Sequence, residues 1–381
     1  MTRPRVLLID DDGNAGPMLQ SALEMRGFDA RWANALPAAE SGIDPVDIIV
    51  LDLNMPGVDG FMTIDRIASD HRSARIVIAS GQSARIINAA AQSATRAGLT
   101  VIGSLEKPYI VADLVKLLEQ SDTVVRQDRD ETSAVMNLLS SERLEDRVQV
   151  FYQSKRDLES NTLAGYEALV RVLLPTPISP EALFASDVPL TAKVELTILI
   201  VQKVAADWAT FHATGQVVPI AVNCPPCVLC DERFLASMRS LAEAGIMPTS
   251  MLELELTEHP STEQLYQIAR AASQLAMLGF TIAIDDFGRG STSLEKLTIL
   301  PVLHVKLDRE TFWETVDGTL ASSILQEVVR FCKSHGIATT VEGIETEKHR
   351  QHAIDLGATF GQGYLWDRPQ PLDAKVRLQS L

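Results

Sequence analysis

The sequence predicts an α/β chain in two units, a doubly wound parallel sheet followed by an eight-stranded β/α barrel of the TIM type. Three observations predict it. Short apolar runs alternate with helix-like segments along the chain, the pattern of buried parallel strands joined by helical crossovers. Most of these runs stop on an acid, an amide, a hydroxyl or a lysine, and in both fold types sites form at the carboxyl ends of the strands. A charge-rich segment, Ser121–Arg147, divides the runs into an earlier and a later set.

With 381 residues and 46% hydrophobic content, the chain can bury two or three sizeable cores. A formal charge of -16 without an offsetting basic cluster argues against a nucleic-acid surface, and a polyanionic ligand would need the help of cations. No apolar run reaches the roughly 18 residues of a bilayer span, and Met1–Arg5 leads straight into a strand without a signal-peptide core. The expectation is a cytoplasmic protein without membrane insertion. Cys224, Cys227 and Cys230 stand in CPPCVLC, but no fourth thiolate or histidine stands at ligand spacing, which favours buried or reduced thiols over a metal cluster. His349 and His352, three apart in a helix-like stretch, read as a solvated face.

In the first unit, VLLI ends on Asp10, Asp11 and Asp12, DIIVLD on Asp52 and RIVIAS on Ser80, while LTVIGSLEKP delivers Lys107 just past its strand. Helix-like segments such as Met18–Met25 and Val111–Leu118 lie between the runs. One acid at a strand end is usually a loop residue, but acids, a hydroxyl and a lysine converging on one sheet edge make a site. At these residues the chain resembles the receiver domain of two-component response regulators, over residues 1–121. The resemblance implies a flavodoxin-like doubly wound domain, with Asp52 as the phospho-acceptor for a cognate histidine kinase. It also implies that Asp10 and Asp11 hold one Mg²⁺, and that Ser80 and Lys107 engage the phosphoryl group. The chemistry is coherent, because a carboxylate attacks phosphorus only where a cation and a lysine neutralise the crowded oxygens. Ser104 stands where the family usually carries an aromatic switch residue. Residues 122–147 read as a helical linker around a weakly amphipathic run, Ala134–Leu139.

From Val148 the strand-like runs are VQVFYQ, GYEALVR, PIAVN, MLELELTE, TIAIDDF, VLHVKLD, TTVEGI and FGQGYL. Parity puts Glu167 and Arg171 on one face, and the same face of later strands ends on Asn223, Glu255, Asp285, Lys306, Glu342 or Gln362. In a barrel these converge on one mouth, above an interior expected to be packed and dry. Asp285 and Asp286 are adjacent at a strand end, and two anions forced together call for a proton or a cation between them. Thr292 and Glu295 have capping-box spacing, so the pair could instead simply open a helix.

These residues resemble the EAL family of cyclic diguanylate (cyclic di-GMP) phosphodiesterases, over residues 148–381. The name-giving triplet is Glu167, Ala168 and Leu169, followed by Arg171. Further matches are Asn223 in AVN, Glu255 and Glu258 in ELTE, Asp285 and Asp286 in DDFG, Lys306 in VKLD, Glu342 and Glu345 in VEGIE, and Gln362 in GQGY. The resemblance implies that Glu167, Asn223, Glu255 and Asp285 bind a first metal, and that Asp285 bridges to a second completed by Asp286 and Glu342. Lys306 would contact the attacking water and Glu342 could serve as general base. Arg171, Gln153 and Gln362 would face the substrate, Glu345 would stand at the mouth, and Glu258 would anchor the loop Phe287–Thr292. Oxygen and amide ligands suit two Mg²⁺ or Mn²⁺ ions, which together activate water and clamp the phosphate.

The implied reaction is hydrolysis of cyclic di-GMP to linear pGpG under control of phosphorylation, and analogy with the family implies a homo-oligomer, dimer or higher. Ser154 replaces the usual Pro after Gln153, and Arg289 and Ser291 replace the usual Thr and Tyr of the loop. A non-catalytic cyclic di-GMP receptor or protein-interaction regulator is the alternative, and a proton-abstracting barrel of the enolase type is a further one. The unbroken ligand set favours an enzyme, and the adjacent aspartates with Asn223 favour a two-metal hydrolase.

Overall fold

The computed structural model describes residues 4–36, 46–55, 58–70, 74–141, 144–173, 178–185, 187–215, 217–257, 262–288, 294–373 and 375. The chain forms two compact units, Met1–Asp130 and Glu131–Leu381.

The first unit contains β1 (Arg5–Ile9), α1 (Ala15–Glu24), β2 (Asp29–Ala33), β3 (Ile48–Asp52), α2 (Gly60–Asp70), β4 (Arg75–Ser80), α3 (Ala84–Arg96), β5 (Thr100–Glu106) and the start of α4 (Val111–Leu139). The sheet runs β2-β1-β3-β4-β5 and every pairing in it is parallel. Ile49 and Leu51 enter one core and Ile48 and Val50 the other, which is why β3 reads as a continuous apolar run. The strand order reverses between β1 and β3, so their carboxyl ends border the crevice where doubly wound sheets place their sites. β2 escapes the sequence reading because DARWA is an edge strand of alternating burial with polar residues at two of its five positions. The helix α4 runs well into the charge-rich segment, and a short helix, Leu144–Arg147, follows it.

The second unit contains β6 (Val148–Asp157), β7 (Leu163–Val172), α5 (Leu190–Ala213), β8 (Ile220–Asn223), α6 (Glu232–Ala244), β9 (Leu252–Thr257), α7 (Thr262–Met277), β10 (Thr281–Phe287), α8 (Leu294–Ile299), β11 (His304–Leu307), α9 (Arg309–Asp317), α10 (Ser322–Ser334), β12 (Ala338–Val341), α11 (Glu347–Leu356) and β13 (Phe360–Gln362). These strands close into an eight-stranded barrel in which β13 returns to β6. The barrel departs from eight identical β/α units, because β6 is antiparallel to both β7 and β13. Only residues 158–162 separate β6 from β7, whereas a parallel crossover needs about a dozen. The tight hairpin uses Asn161 in the left-handed region, at φ 58°, with Ser160 N–H donating to Asp157.

The interior is buried but not apolar throughout. Glu253, His304 and Thr340 lie two residues before Glu255, Lys306 and Glu342, hence one layer deeper on the same inward faces. Lys155, two beyond Gln153 on the reversed strand β6, reaches the same layer and donates to Glu253 Oε1 at 2.9 Å. His304 Nδ1 lies 2.9 Å from both Glu253 oxygens, and its Nε2 lies 2.6 Å from Thr340 Oγ1. All four side chains are buried. Burial alone would raise the Glu253 carboxyl, but His304 and Lys155 hold it below the usual range, while burial lowers His304. Gly165 leaves the room this layer needs, since a Cβ there would stand 3.2 Å from Lys155 Cε and 3.0 Å from the Pro219 carbonyl.

Candidate active site

The carboxyl ends of the parallel strands gather the acids of the barrel around one lysine. Lys306 Nζ lies 2.7 Å from Glu342, 3.1 Å from Glu255, 3.1 Å from Asp285 and 3.3 Å from Glu167. Its side chain is 1% exposed. Burial works against the ammonium, yet Asp285, Glu167, Glu255 and Glu342 hold its pKa well above the ordinary value. The acids do not respond alike. Burial lifts Glu342 to about 8 and Glu255 well above its usual value, each against the pull of Lys306. Glu167 is also buried, but Lys306 and the amides of Gln362 and Asn223 bring it below the usual value.

Two adjacent residues of a regular strand point to opposite faces, so Asp285 and Asp286 need a local device to reach the same mouth. The device is a break in register between Ile284 and Phe287, with Asp286 in the left-handed region at φ 55°. Asp286 N–H donates to Asp285 Oδ1 at 2.9 Å within this turn. Two carboxylate groups result, Glu167 with Glu255 and Asp285, and Asp285 with Asp286 and Glu342, each with its oxygens within 4.8 Å of one another. Asp285 belongs to both.

Asn223 donates to Glu167 Oε1 at 3.1 Å. Gln362 donates to Glu167 Oε2 at 2.5 Å and to Gln153 Oε1 at 3.2 Å, while its own Oε1 is buried without a hydrogen-bond partner among the described residues. An orphaned amide oxygen beside two carboxylate groups fits a site built for cations and the water around them. Arg171, at the end of β7, packs over Phe151 and lines a cavity of ≈ 430 Å³ that also contains Asn223, Cys224, Phe184 and Lys306. On the other side a cavity of ≈ 300 Å³ is lined by Gln153, Arg309, Glu345, Gln362 and Tyr364. Glu167, Asp286 and Glu342 border both, so the acids sit where the two cavities meet.

Glu258, Arg289 and Ser291 lie outside the described residues. The sequence reading did not single out Arg309 or Trp313, which stack at 4.9 Å and hold the backbone beside Glu342. Trp313 Nε1 donates to the Gly343 carbonyl, and Gly343, at φ 73°, lies so close to Arg309 that a Cβ would stand 2.1 Å from it. The glycine of VEGIE is the legible trace of that contact. His349 and His352 are half-buried rather than fully solvated, since both rings pack against Phe312 and His352 Nε2 lies 3.0 Å from Thr315 Oγ1. Cys224, Cys227 and Cys230 are free thiols, and burial pushes the Cys224 thiol well up.

The first unit holds a second, shallower arrangement. Asp10, Asp11 and Asp52 bring carboxylate oxygens within 4.8 Å of one another, and Lys107 Nζ lies 2.6 Å from both Asp10 and Asp52. Burial opposes the Lys107 ammonium, but the two aspartates raise its pKa. Ser80 ends the neighbouring strand, and its carbonyl accepts from Lys107 N–H at 2.9 Å. Asp12 is spent on structure, accepting from Asn14 and Ala15 N–H to open α1. Ser104 is exposed within β5. Trp32, unremarked in the sequence, donates its indole N–H to the Asp10 carbonyl at 2.8 Å and packs on Gly16, where a Cβ would stand 2.0 Å from the ring.

The EAL domain model matches residues 137–369, and the response regulator receiver domain model matches residues 6–119. The chain is 28% identical over 333 residues to the cyclic di-GMP phosphodiesterase RocR of Pseudomonas aeruginosa, covering 86% of this chain and 85% of RocR. It is 25% identical over 225 residues to the cyclic di-GMP phosphodiesterase PdeA of Borreliella burgdorferi, covering 58% of this chain but only 34% of PdeA. Among solved structures, the PaMucR phosphodiesterase in complex with cyclic di-GMP matches with a TM-score of 0.57 at 25% identity, over 64% of this chain and 99% of that one. Among the described residues, no helix is long and apolar enough to cross a membrane. The chain belongs to the EAL domain family and carries a response regulator receiver domain ahead of its barrel.

Proposed function

We propose that the barrel, residues 148–381, hydrolyses cyclic di-GMP to linear pGpG with two divalent cations, Mg²⁺ or Mn²⁺, under control of Asp52 phosphorylation in residues 1–121 by a cognate histidine kinase. The observation that carries this reading is the pair of carboxylate groups sharing Asp285 where two cavities meet. Their charge supports the number of ions. Five carboxylates against Lys306 leave four uncompensated negative charges, which two divalent cations match. Asp10, Asp11 and Asp52 against Lys107 leave two, which one Mg²⁺ matches. The likeness to phosphodiesterases along most of the chain, RocR above all, supports the substrate.

Glu167, Asn223, Glu255 and Asp285 would hold one ion, and Asp285, Asp286 and Glu342 the other. Bound there, the ions supply Lewis-acid activation of water and neutralise the phosphate during in-line displacement. The protein's own groups do the remainder. Glu342, which stands 2.7 Å from Lys306 at the mouth, takes the proton from the nucleophile. Lys306, held between the two groups, directs its N–H donors at the same place and offsets charge developing on the phosphate. Arg171 takes a non-reacting phosphate, while Gln153 and Gln362 orient the substrate by hydrogen bonds. Glu258 would anchor the loop that follows Asp286. The test is chromatography of cyclic di-GMP incubated with the full chain and Mg²⁺ or Mn²⁺. Appearance of linear pGpG is expected, and intact substrate with both metals would refute the reading.

A further inference from the structure

The side chains of the mouth are connected to the far end of the chain. Lys375 is 3% exposed, its Nζ donates to Asp367 Oδ2, and it lies 5.7 Å from the centre of the Tyr166 ring. Asp367 in turn accepts from Ser154 N–H at 3.2 Å through Oδ1, and its main-chain carbonyl accepts from Gln153 Nε2 at 3.1 Å. Gln153 Oε1 accepts from Gln362 Nε2, which also donates to Glu167 Oε2.

This chain of contacts has a fixed direction. A main-chain carbonyl can only accept, so Gln153 must turn its NH₂ toward Asp367 and its oxygen toward Gln362. Gln362 must then present its NH₂ to Gln153 and Glu167, which leaves its oxygen as an acceptor within the site. Each amide, otherwise free to flip, is set by the one before it, and the first is set by where Asp367 stands. Asp367 is held by an ammonium from the C-terminal segment and by a backbone N–H that a proline at position 154 could not supply.

We propose that Lys375 and Asp367 are positioning residues for the active site, orienting Gln153 and Gln362 so that Glu167 presents a fixed carboxylate to the metal it shares with Glu255 and Asp285. Groups that orient metal ligands typically carry about 10- to 100-fold in metal affinity or activity. The inference rests on the metal reading of Glu167 and adds residues from outside the barrel strands to it.

The test is titration of the full chain with Mn²⁺, followed by the electron paramagnetic resonance of the free ion, without substrate. Lys375→Met and Asp367→Asn are each expected to weaken one Mn²⁺ site about tenfold and leave the second barrel site and the receiver site unchanged. In turnover assays kcat should fall more than KM rises, and Lys375→Arg, which restores the cation, should recover most of the affinity. Gln153→Met cuts the relay at its middle without disturbing the C-terminal segment, and should give the same loss at the same site. Wild-type Mn²⁺ affinity in Gln153→Met and in either of the first two variants, with only a lower unfolding temperature, would reduce Lys375 to a structural staple and overturn the proposal. Binding of no more than the one receiver ion by the wild type, with none left in Asp52→Asn, would overturn the metal reading of the barrel as well, and so separates the two failures.

Discussion

Both units set a lysine among carboxylates at the carboxyl edge of parallel strands, but they do so at different depths. Lys107 has a side chain 29% exposed and bridges two aspartates at 2.6 Å, whereas Lys306 is 1% exposed and touches four carboxylates at 2.7 to 3.3 Å. Depth changes what the same residue types can do. At the first edge solvent reaches the lysine itself and screens its pairs with Asp10 and Asp52, although both acids are largely buried. In the barrel mouth the lysine is shut off from solvent, the acids shift apart in proton affinity, and bound cations would bring all of them to the charged form together.

The largest expected effect separates chemistry from regulation. Glu342→Gln keeps the shape of the mouth but removes the proton acceptor, and turnover with saturating Mn²⁺ should fall by about 10²- to 10⁴-fold. Asp286→Asn should lose a comparable factor and Lys107→Gln should not, when unphosphorylated protein is assayed. Similar losses in the barrel and receiver variants would dissolve the distinction between the two sites.

The next effect is on stability and reads the depth directly. Removing one partner of a buried ion cluster costs about 3–5 kcal/mol, against about 1 kcal/mol or less for a pair open to solvent. In chelator, Lys306→Met should therefore lower unfolding free energy by several kcal/mol, and Lys107→Met by much less. Mn²⁺ should return most of the loss in Lys306→Met, because the ions take over the neutralising role. Urea titrations with and without Mn²⁺ measure both, and equal losses in the two variants would contradict the contrast in burial.

A third effect concerns pH. Glu342 rises from an ordinary value of 4.5 to about 8 on folding, so between those values the unfolded chain has released a proton that the folded one keeps. The contribution of Glu342 therefore makes metal-free protein less stable as pH rises from about 4.5 to about 8. Lys306 works in the same sense but at higher pH, since its stabilisation is complete below its ordinary value of 10.5 and is lost only as pH rises through its raised pKa. Mn²⁺ should displace the Glu342 proton near pH 7, visible as a binding heat that depends on the ionisation enthalpy of the buffer. A buffer-independent heat would show that Glu342 is already ionised without metal.

The same contrast explains what could be read in the sequence. The strand ends were legible because a buried parallel strand is a continuous apolar run and its first polar residue marks the edge, as with Asp10, Asp52, Asn223 and Lys306. The ionic layer of Lys155, Glu253 and His304 was not, although the alternation in LELEL hinted that Glu253 faces inward with Glu255. A charge in the middle of a strand ordinarily signals the solvent face, and only a barrel interior with Gly165 and its partner charges reverses that reading. The reversed strand β6 was similarly hidden, since direction is set by the length of the connection and VQVFYQ alone does not carry it. Trp32 and Trp313 act through single indole N–H donors to backbone carbonyls, contacts that follow no periodicity; only Gly16 and Gly343, which make room for them or for Arg309, leave a trace.

The smallest expected effect joins the two sites. Coupling between two sites is typically worth about 1–3 kcal/mol, roughly five- to 150-fold, and phosphorylation of Asp52 should change cyclic di-GMP turnover by about the lower end of that range, less than loss of Glu342. The change should appear on adding a small phosphodonor to the wild type and be absent in Asp52→Asn. Ser104 is exposed and has no ring to swing inward, so Ser104→Ala should leave the ratio of phosphorylated to unphosphorylated turnover unchanged. The helix α4 begins in the first unit and ends in the second, and it is the route we assign to the signal. Gln127 lies in its interior, where proline removes a backbone bond and costs about 3 kcal/mol. Gln127→Pro should therefore keep basal turnover and bring the phosphorylation ratio to one. A wild-type ratio in that variant would move the coupling off the helix, and a ratio abolished by Ser104→Ala would place it at the strand β5 instead.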